Sequence, residues 1–502
     1  MKKIKLVTQA ILLISTVIGL ISCTTKPTIL HQGESLLQTG SKRSSILFHS
    51  SLYYPNEIAL NTDGFIIGVE KSPLNAVVQD KKDIRIANIN FGRKFYGAQK
   101  TVADEIIDHK ILYISHILEN FGQTHGQKNC ALYDVYRNIN KNNADHLQTN
   151  ACLPSQQNIK DPKQSYLASW EALDILSAAL KDKIAQNNYT HIVVITMGWN
   201  TTQEEALRNF NAILNNIYKA SGVPNADGSV SNAKFKPLVI GVTWPSQFES
   251  QVLNSTVGKA TSFVTKRGDA DELGLTWLGV LLNKTIPAAN SRKLPVVAIG
   301  HSFGARAATT ATCFGPAIYQ KSESELQDSE ILRSGNGNKG TETIRKPVQY
   351  LVALQGAFSE KRILDKDGSI NGVNFNGCAG AEKILMTATI HDTAVTSAIW
   401  GSYAGAKNKA LITNSPRGIL KYCNEQSKKL INTPNLQCSK SSAGGDLKPA
   451  LNRETKVTYV DADDLINKNS YLSGGGAHSD IYRYAHGKLI WNFINDPKKL
   501  NN

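Results

Sequence analysis

The feature that most constrains this 502-residue chain is the segment from Leu294 to Thr312, LPVVAIGHSFGARAATTAT. A short apolar run, Val296 to Ile299, stops abruptly at Gly300-His301-Ser302-Phe303-Gly304, and a small-residue segment of helical character follows. A strand that passes through so tight a turn into a helix brings the two elements almost into contact. Gly300 and Gly304 remove side chains that would collide there. Apart from Arg306, the first helical turns are kept slim by Ala305, Ala307, Ala308 and Thr309. Ser302 stands at the apex. A serine hydroxyl is a weak nucleophile unless it is held within reach of a base, and G-x-S-x-G between a buried strand and a helix is the sequence form of a nucleophile elbow.

Around that junction, apolar strands alternate with helical segments, the pattern of a mostly parallel sheet. The strands predicted are His191 to Thr196, Pro237 to Thr243, Leu294 to Ile299, Val348 to Leu354, Ile384 to Thr389 and Val457 to Val460. Most are short, apolar and rich in β-branched residues, as strands covered on both faces are. Helices are predicted over Tyr166 to Ala185, Gln203 to Ala220, Lys266 to Lys284 and Ser479 to Ile494. Upstream, Ile46 to His49 and Gly64 to Val69 look strand-like, and Thr101 to Asn120 has helical spacing. Asn408 to Lys448 is rich in Lys, Asn and Ser and reads as an inserted surface segment. The expected organisation is an N-terminal extension over 23–165, with some sheet, and an α/β domain over 166–502 carrying an insertion at about 400–450.

The N-terminus has a different character. Met1-Lys-Lys-Ile-Lys5 is basic, and Leu6 to Ile21 is apolar but short and badly flanked for a membrane span. Leu20-Ile21-Ser22-Cys23 resembles a bacterial lipobox, which implies a lipoprotein signal peptide over 1–22 and lipidation of Cys23. Several acyl chains on one cysteine anchor stably where one chain does not. The expected location is the bacterial cell envelope, with the membrane reached through the lipid anchor. Thr24, rather than Asp, after the cysteine resembles an outer-membrane signal. An ordinary cleaved secretory peptide is the alternative.

Composition is that of a globular chain, 41% hydrophobic and 19% charged. The formal charge is +15, or +12 without Lys2, Lys3 and Lys5. The basic residues are scattered and no nucleic-acid motif accompanies them, so no nucleic-acid partner is expected. Besides Cys23, an even set of six cysteines remains, which permits disulfides in an exported chain. Cys130 with Cys152, and Cys423 with Cys438, are near in sequence and lie in polar segments, so these pairs are expected; Cys313, after the elbow helix, reads as a buried thiol. The spacing offers no zinc pattern.

The order of strands and motifs from about His191 to Ile494 resembles the α/β-hydrolase superfamily. The resemblance implies an α/β fold with a mostly parallel sheet flanked by helices, and a Ser-His-Asp triad that needs neither metal nor organic cofactor. Gly198-Trp199-Asn200, after the strand His191 to Thr196, is similar to the loop that supplies an oxyanion-hole donor, although Met197 stands where a histidine is common. The backbone N–H groups of Trp199 and Phe303 are the candidate donors.

In that superfamily the acid and the histidine follow the serine in order. Of His391, His478 and His486, the candidate base is His478, in the loop Ser473-Gly-Gly-Gly-Ala-His-Ser-Asp480 before the closing helix. His486 lies within that helix, as a packing histidine would. The candidate acid is Asp392, just past the strand Ile384 to Thr389; Asp365, Asp367, Asp461, Asp463 and Asp464 are rivals. The resemblance thus implies cleavage of carboxylic esters, small-molecule or lipid, through an acyl-enzyme. A non-catalytic binding scaffold, or a peptidase, thioesterase or acyltransferase on the same triad, is the alternative.

Overall fold

The computed structural model describes residues 59–71, 112–122, 129–134, 165–199, 203–227, 229–246, 256–316, 346–358, 378–394, 436–468 and 476–496, with residues 152, 201, 318, 362–363 and 404–405. Thirteen strands are described: β1 (Asp63–Lys71), β2 (Leu112–Phe121), β3 (Cys130–Asp134), β4 (His191–Thr196), β5 (Val223–Pro224), β6 (Val230–Ser231), β7 (Pro237–Thr243), β8 (Val296–His301), β9 (Val348–Leu354), β10 (Ala381–Ala388), β11 (Leu436–Ser441), β12 (Leu447–Lys448) and β13 (Val457–Asp461). The helices are α1 (Ser165–Gln186), α2 (Gln203–Ala220), α3 (Thr256–Leu275), α4 (Trp277–Val280), α5 (Ile286–Ala289), α6 (Phe303–Phe314) and α7 (Tyr484–Ile494), with a π-helical turn at Leu281–Thr285 between α4 and α5.

Eleven strands form one sheet in the order β12-β11-β13-β10-β9-β8-β4-β7-β1-β2-β3. The run from β11 to β1 is parallel throughout, and β12, β2 and β3 join antiparallel at the two edges. Strands β4, β7 and β9 are buried at every position. That is why they read as mostly apolar runs rather than alternating ones. A fully buried Val, Ile or Leu stabilises the fold by roughly 1.5–3 kcal/mol, so these central strands dominate the core.

The order reverses at one place. From β4 the chain crosses through α2 to β7, then returns to β8 on the opposite side of β4. From β8 it continues outward through α6 to β9. Right-handed crossovers that step in opposite directions put α2 and α6 on opposite faces of the sheet. Helix α2 packs against α7, and α6 packs against α3. Helix α2 buries Ala206, Leu207, Phe210, Ile213, Leu214 and Ile217 at helical spacing, with Glu204 and Glu205 in its first turn and Lys219 in its last, each favourable to the helix dipole.

Three sequence expectations change. The helical spacing over Thr101 to Asn120 is overturned from Leu112 on: Leu112–Phe121 is strand β2, nearly all of it buried between β1 and β3, while 101–111 lie outside the described residues. Part of the segment read as a surface insertion, Leu436–Ser441 and Leu447–Lys448, forms edge strands of the sheet. Cys313 is not a free thiol but pairs with Cys378. The expected Cys130–Cys152 bond is present and ties the start of β3 to residue 152. Cys423 lies outside the described residues, as do Cys23 and the segments 46–49 and 1–22. Among the described residues no helix is long and apolar enough to cross a membrane.

Candidate functional site

Ligand crevices in open parallel sheets lie beyond the C-terminal strand ends, where the strand order reverses. Here that place is the pair β8 and β4. Strand β8 runs two residues further than the apolar pattern predicts, through Gly300 and His301, and Ser302 follows as the residue before α6. Its backbone has φ 56° and ψ −120°, a left-handed φ that costs an L-residue of order 1–3 kcal/mol unless the surroundings enforce it. Three hydrogen bonds do so: Ser302 N donates to Leu354 O at 3.0 Å, and Ser302 O accepts from Ala357 N at 3.1 Å and Arg306 N at 3.2 Å.

The glycines explain how two elements fit there. A Cβ on Gly300 would lie 2.4 Å from Ala305 N, and one on Gly304 would lie 2.3 Å from Thr196 O at the end of β4. Behind the elbow, Arg306 and Arg362 both bind the buried carboxylate of Asp271 on α3. Burial alone would raise the Asp271 carboxyl, but the two guanidiniums outweigh it and hold the group below its ordinary value. The helix that follows the serine is thus fixed to α3 by charge as well as packing. At its far end the Cys313–Cys378 bond fastens it to the chain just before β10.

The segment Met197-Gly198-Trp199 lies directly against the elbow. A Cβ on Gly198 would sit 3.2 Å from Ser302 Cβ and from His301 O. The segment is held from the other side as well: Trp244 Nε1 donates to Met197 O at 3.0 Å, and Thr201 N donates to Ser246 Oγ at 3.0 Å. Gln203, which opens α2, is buried and bonds Nε2 of the buried His116 at 3.1 Å. The Trp199 and Phe303 amides therefore belong to two adjoining, well-fixed segments. Phe303 begins α6, where the first amides have no intrahelical acceptor and the helix dipole is positive.

Two further residues converge from beyond β10 and β13. His478 Nδ1 donates to Asp392 Oδ2 at 2.7 Å; the Asp392 side chain is wholly buried and that of His478 is 12% exposed. The proton therefore sits on Nδ1, and a neutral ring keeps its lone pair on Nε2. Asp392 Oδ1 accepts from Ala394 N at 3.1 Å, and Oδ2 also accepts from Gln355 Nε2 at 3.0 Å. The two loops are joined by a bridge between Asp392 and Gly476, with Ala477 N donating to His391 O at 2.8 Å. Gly476 has φ 59°, and a Cβ there would lie 2.4 Å from His391 O, so only glycine serves.

His301 connects this pair to the elbow. Its Nε2 donates to the carbonyl of His478 at 2.9 Å, and the two rings lie 4.7 Å apart. Burial, and secondarily the neighbouring His478, push the His301 imidazole down to about 3, so it stays neutral. Ser302, His478 and Asp392 are thereby gathered beyond the C-terminal ends of the central strands. The Asp392–His478 contact is closed, while no hydrogen bond from Ser302 Oγ to His478 is formed among the described residues.

The rival residues go elsewhere. Asp461 accepts from Asp463 N, Asp463 accepts from Ile390 N, and Asp464 pairs with Lys440 at 3.0 Å. His486 is buried in α7 with neither ring nitrogen hydrogen-bonded. Asp365 and Asp367 lie outside the described residues. Sequence reasoning passed over His301 and Gln355. The signal for His301 was its position beside Ser302; that for Gln355 was its place one residue beyond a parallel strand's C-terminal end. Comparison with protein-family models, with curated sequences and with solved structures finds no match for this chain.

Proposed function

We propose that this chain is a serine hydrolase of α/β-hydrolase type that cleaves carboxylic esters. One observation carries the reading: Ser302, on a strained strand-to-helix turn, follows His301, which is hydrogen-bonded to the loop carrying a closed Asp392–His478 pair brought from 90 and more residues away in the sequence. The serine attacks the acyl carbonyl as His478 Nε2 accepts its proton. Asp392 fixes the ring tautomer and stabilises the imidazolium. The Trp199 and Phe303 amides receive the oxyanion, a contribution of several kcal/mol for preorganised donors of this type. His478 returns its proton to the leaving alcohol, then activates the water that releases the acyl group. No metal or organic cofactor enters these steps.

The test is covalent labelling of the detergent-solubilised full chain with a fluorophosphonate. Ser302 is labelled; Ser302→Ala is not, although it folds; His478→Ala is slowed by about a hundredfold or more, the scale of general-base loss. A wild type that never labels would favour a binding scaffold instead. The basic start and Leu20-Ile21-Ser22-Cys23 further support export to the cell envelope with acylation of Cys23, so that the membrane is reached through lipid. Metabolic labelling with a clickable fatty acid checks this, and equal incorporation by wild type and Cys23→Ser overturns it.

A further inference from the structure

Gln355 is an unusual residue to find immediately after β9. It is fully buried and has φ 46°, a left-handed backbone at a residue with a long side chain. Every hydrogen-bonding group of its amide is used. Nε2 donates to Asp392 Oδ2 at 3.0 Å and to Gly405 O at 2.9 Å, and Oε1 accepts from Thr387 Oγ1 at 3.2 Å. The Gln355 backbone N–H in turn donates to that same Thr387 oxygen at 3.1 Å. The orientation of the amide is therefore forced. Turned over, it would set a carbonyl oxygen against a carboxylate and a second carbonyl.

The surroundings hold the strained backbone in place. A Cβ on Gly405 would lie 2.6 Å from Gln355 Cα, so this glycine lets residues 404–405 lie flush against it. Gly405 N donates to Gly356 O, and Gly405 O accepts from Thr389 N, both at 3.1 Å. Gln355 is thus wedged between β10 and residues 404–405 with its donor on the one carboxylate oxygen that also receives the His478 proton.

We propose that Gln355 is a positioning residue for the Asp392–His478 pair: its amide fixes the rotation of the Asp392 carboxylate and so aims Oδ2 at His478 Nδ1. The role rests on the hydrolase reading above. Ala394 N holds Oδ1, and Gln355, wedged in the core, holds Oδ2 independently of the imidazole. His478 thus meets an oxygen whose place is already set, and the imidazole is presented to Ser302 in one orientation. Gln355 touches neither the serine nor an acyl group, so it acts on turnover through Asp392.

Two variants of the full chain test this. Gln355→Met keeps the length and removes the donor; Gln355→Asn keeps an amide and suits the left-handed backbone, but falls short of Asp392. Each slows fluorophosphonate labelling of Ser302 about tenfold, the scale of one lost hydrogen bond to a charged group, and lowers kcat on an ester while KM holds. In an Asp392→Asn background the same changes alter labelling less than about twofold, because the contact they remove has already lost its charge. A merely structural loss would be as large in both backgrounds. The second readout is independent of turnover: the low-field proton resonance of His478 Nδ1–H shifts or broadens in both variants. Wild-type labelling rates with an unchanged resonance overturn the proposal. If the wild type is not labelled at all, the hydrolase reading fails, and the resonance alone decides whether Gln355 positions the pair. Should Gln355→Met not fold, Gln355→Asn carries both measurements.

Discussion

Substituting Gly304 by alanine adds a single methyl group where α6 passes close to the end of β4. That Cβ would lie 2.3 Å from Thr196 O, 2.5 Å from Met197 O and 2.8 Å from Met197 C, all backbone atoms that no rotamer change can move. Even a close carbon–oxygen contact needs about 3.3 Å, so α6 and the end of β4 must part by about 1 Å. The displaced atoms lead straight into Gly198 and Trp199 on one side and Ser302 on the other. A misplacement of 1 Å in a reacting constellation costs on the order of a hundredfold in rate, and forcing a methyl into a packed interior costs roughly 1–3 kcal/mol of stability. Gly268, on α3, is the control, because a Cβ there meets nothing within 4 Å. Gly268→Ala should be neutral or add up to about 1 kcal/mol, since alanine favours the helix. The assay is urea unfolding together with the second-order rate of fluorophosphonate labelling. Gly304→Ala reacting at the wild-type rate would refute the argument that the contact between β4 and the elbow sets the site.

Acid sensitivity follows from three buried imidazoles. Burial pushes His191 down to about 4, His301 to about 3 and His486 to about 4, from an ordinary 6.5. The unfolded chain takes up these protons first. Each group therefore contributes stability that is present above pH 6.5 and is lost as the pH falls toward 4 for His191 and His486, by at most about 3 kcal/mol each, and toward 3 for His301, by at most about 5 kcal/mol. Urea midpoints should fall from pH 7 to pH 5, and His486→Leu should flatten that slope; an unchanged slope would count against it.

The central sheet was legible in the sequence because strands covered on both faces are mostly apolar, with the few buried polar residues such as Gln349 hydrogen-bonded, and β4, β7 and β9 begin and end where their runs do. The same rule hid β2. Its residues Leu112, Ile114, Ile117 and Leu118 are all buried, so no alternation marks them, and their spacing imitates a helix. Only pairing with β1 and β3, distant in sequence, decides the matter. Strand β11 was missed for the opposite reason: LQCSKS is polar and half-exposed, and it earns its place by backbone pairing with β13. In the site, Ser302 and His478 were readable because glycines surround them. Gln355 was not, since a buried glutamine has no local signature and its partners come from β10 and residues 404–405.

The bridge from Asp392 to Gly476 has a mechanical meaning. It stitches the loops beyond β10 and β13 into one unit, so that Asp392 and His478 are carried on a single bracket. The serine stands on another, clamped by Leu354, Ala357 and the arginine–aspartate cluster. His301 is the strut between the two brackets, through its bond to the carbonyl of His478. On the proposed hydrolase reading, the separation left to adjust is that between Ser302 Oγ and His478 Nε2, and an arriving acyl group would tune one distance rather than assemble three parts.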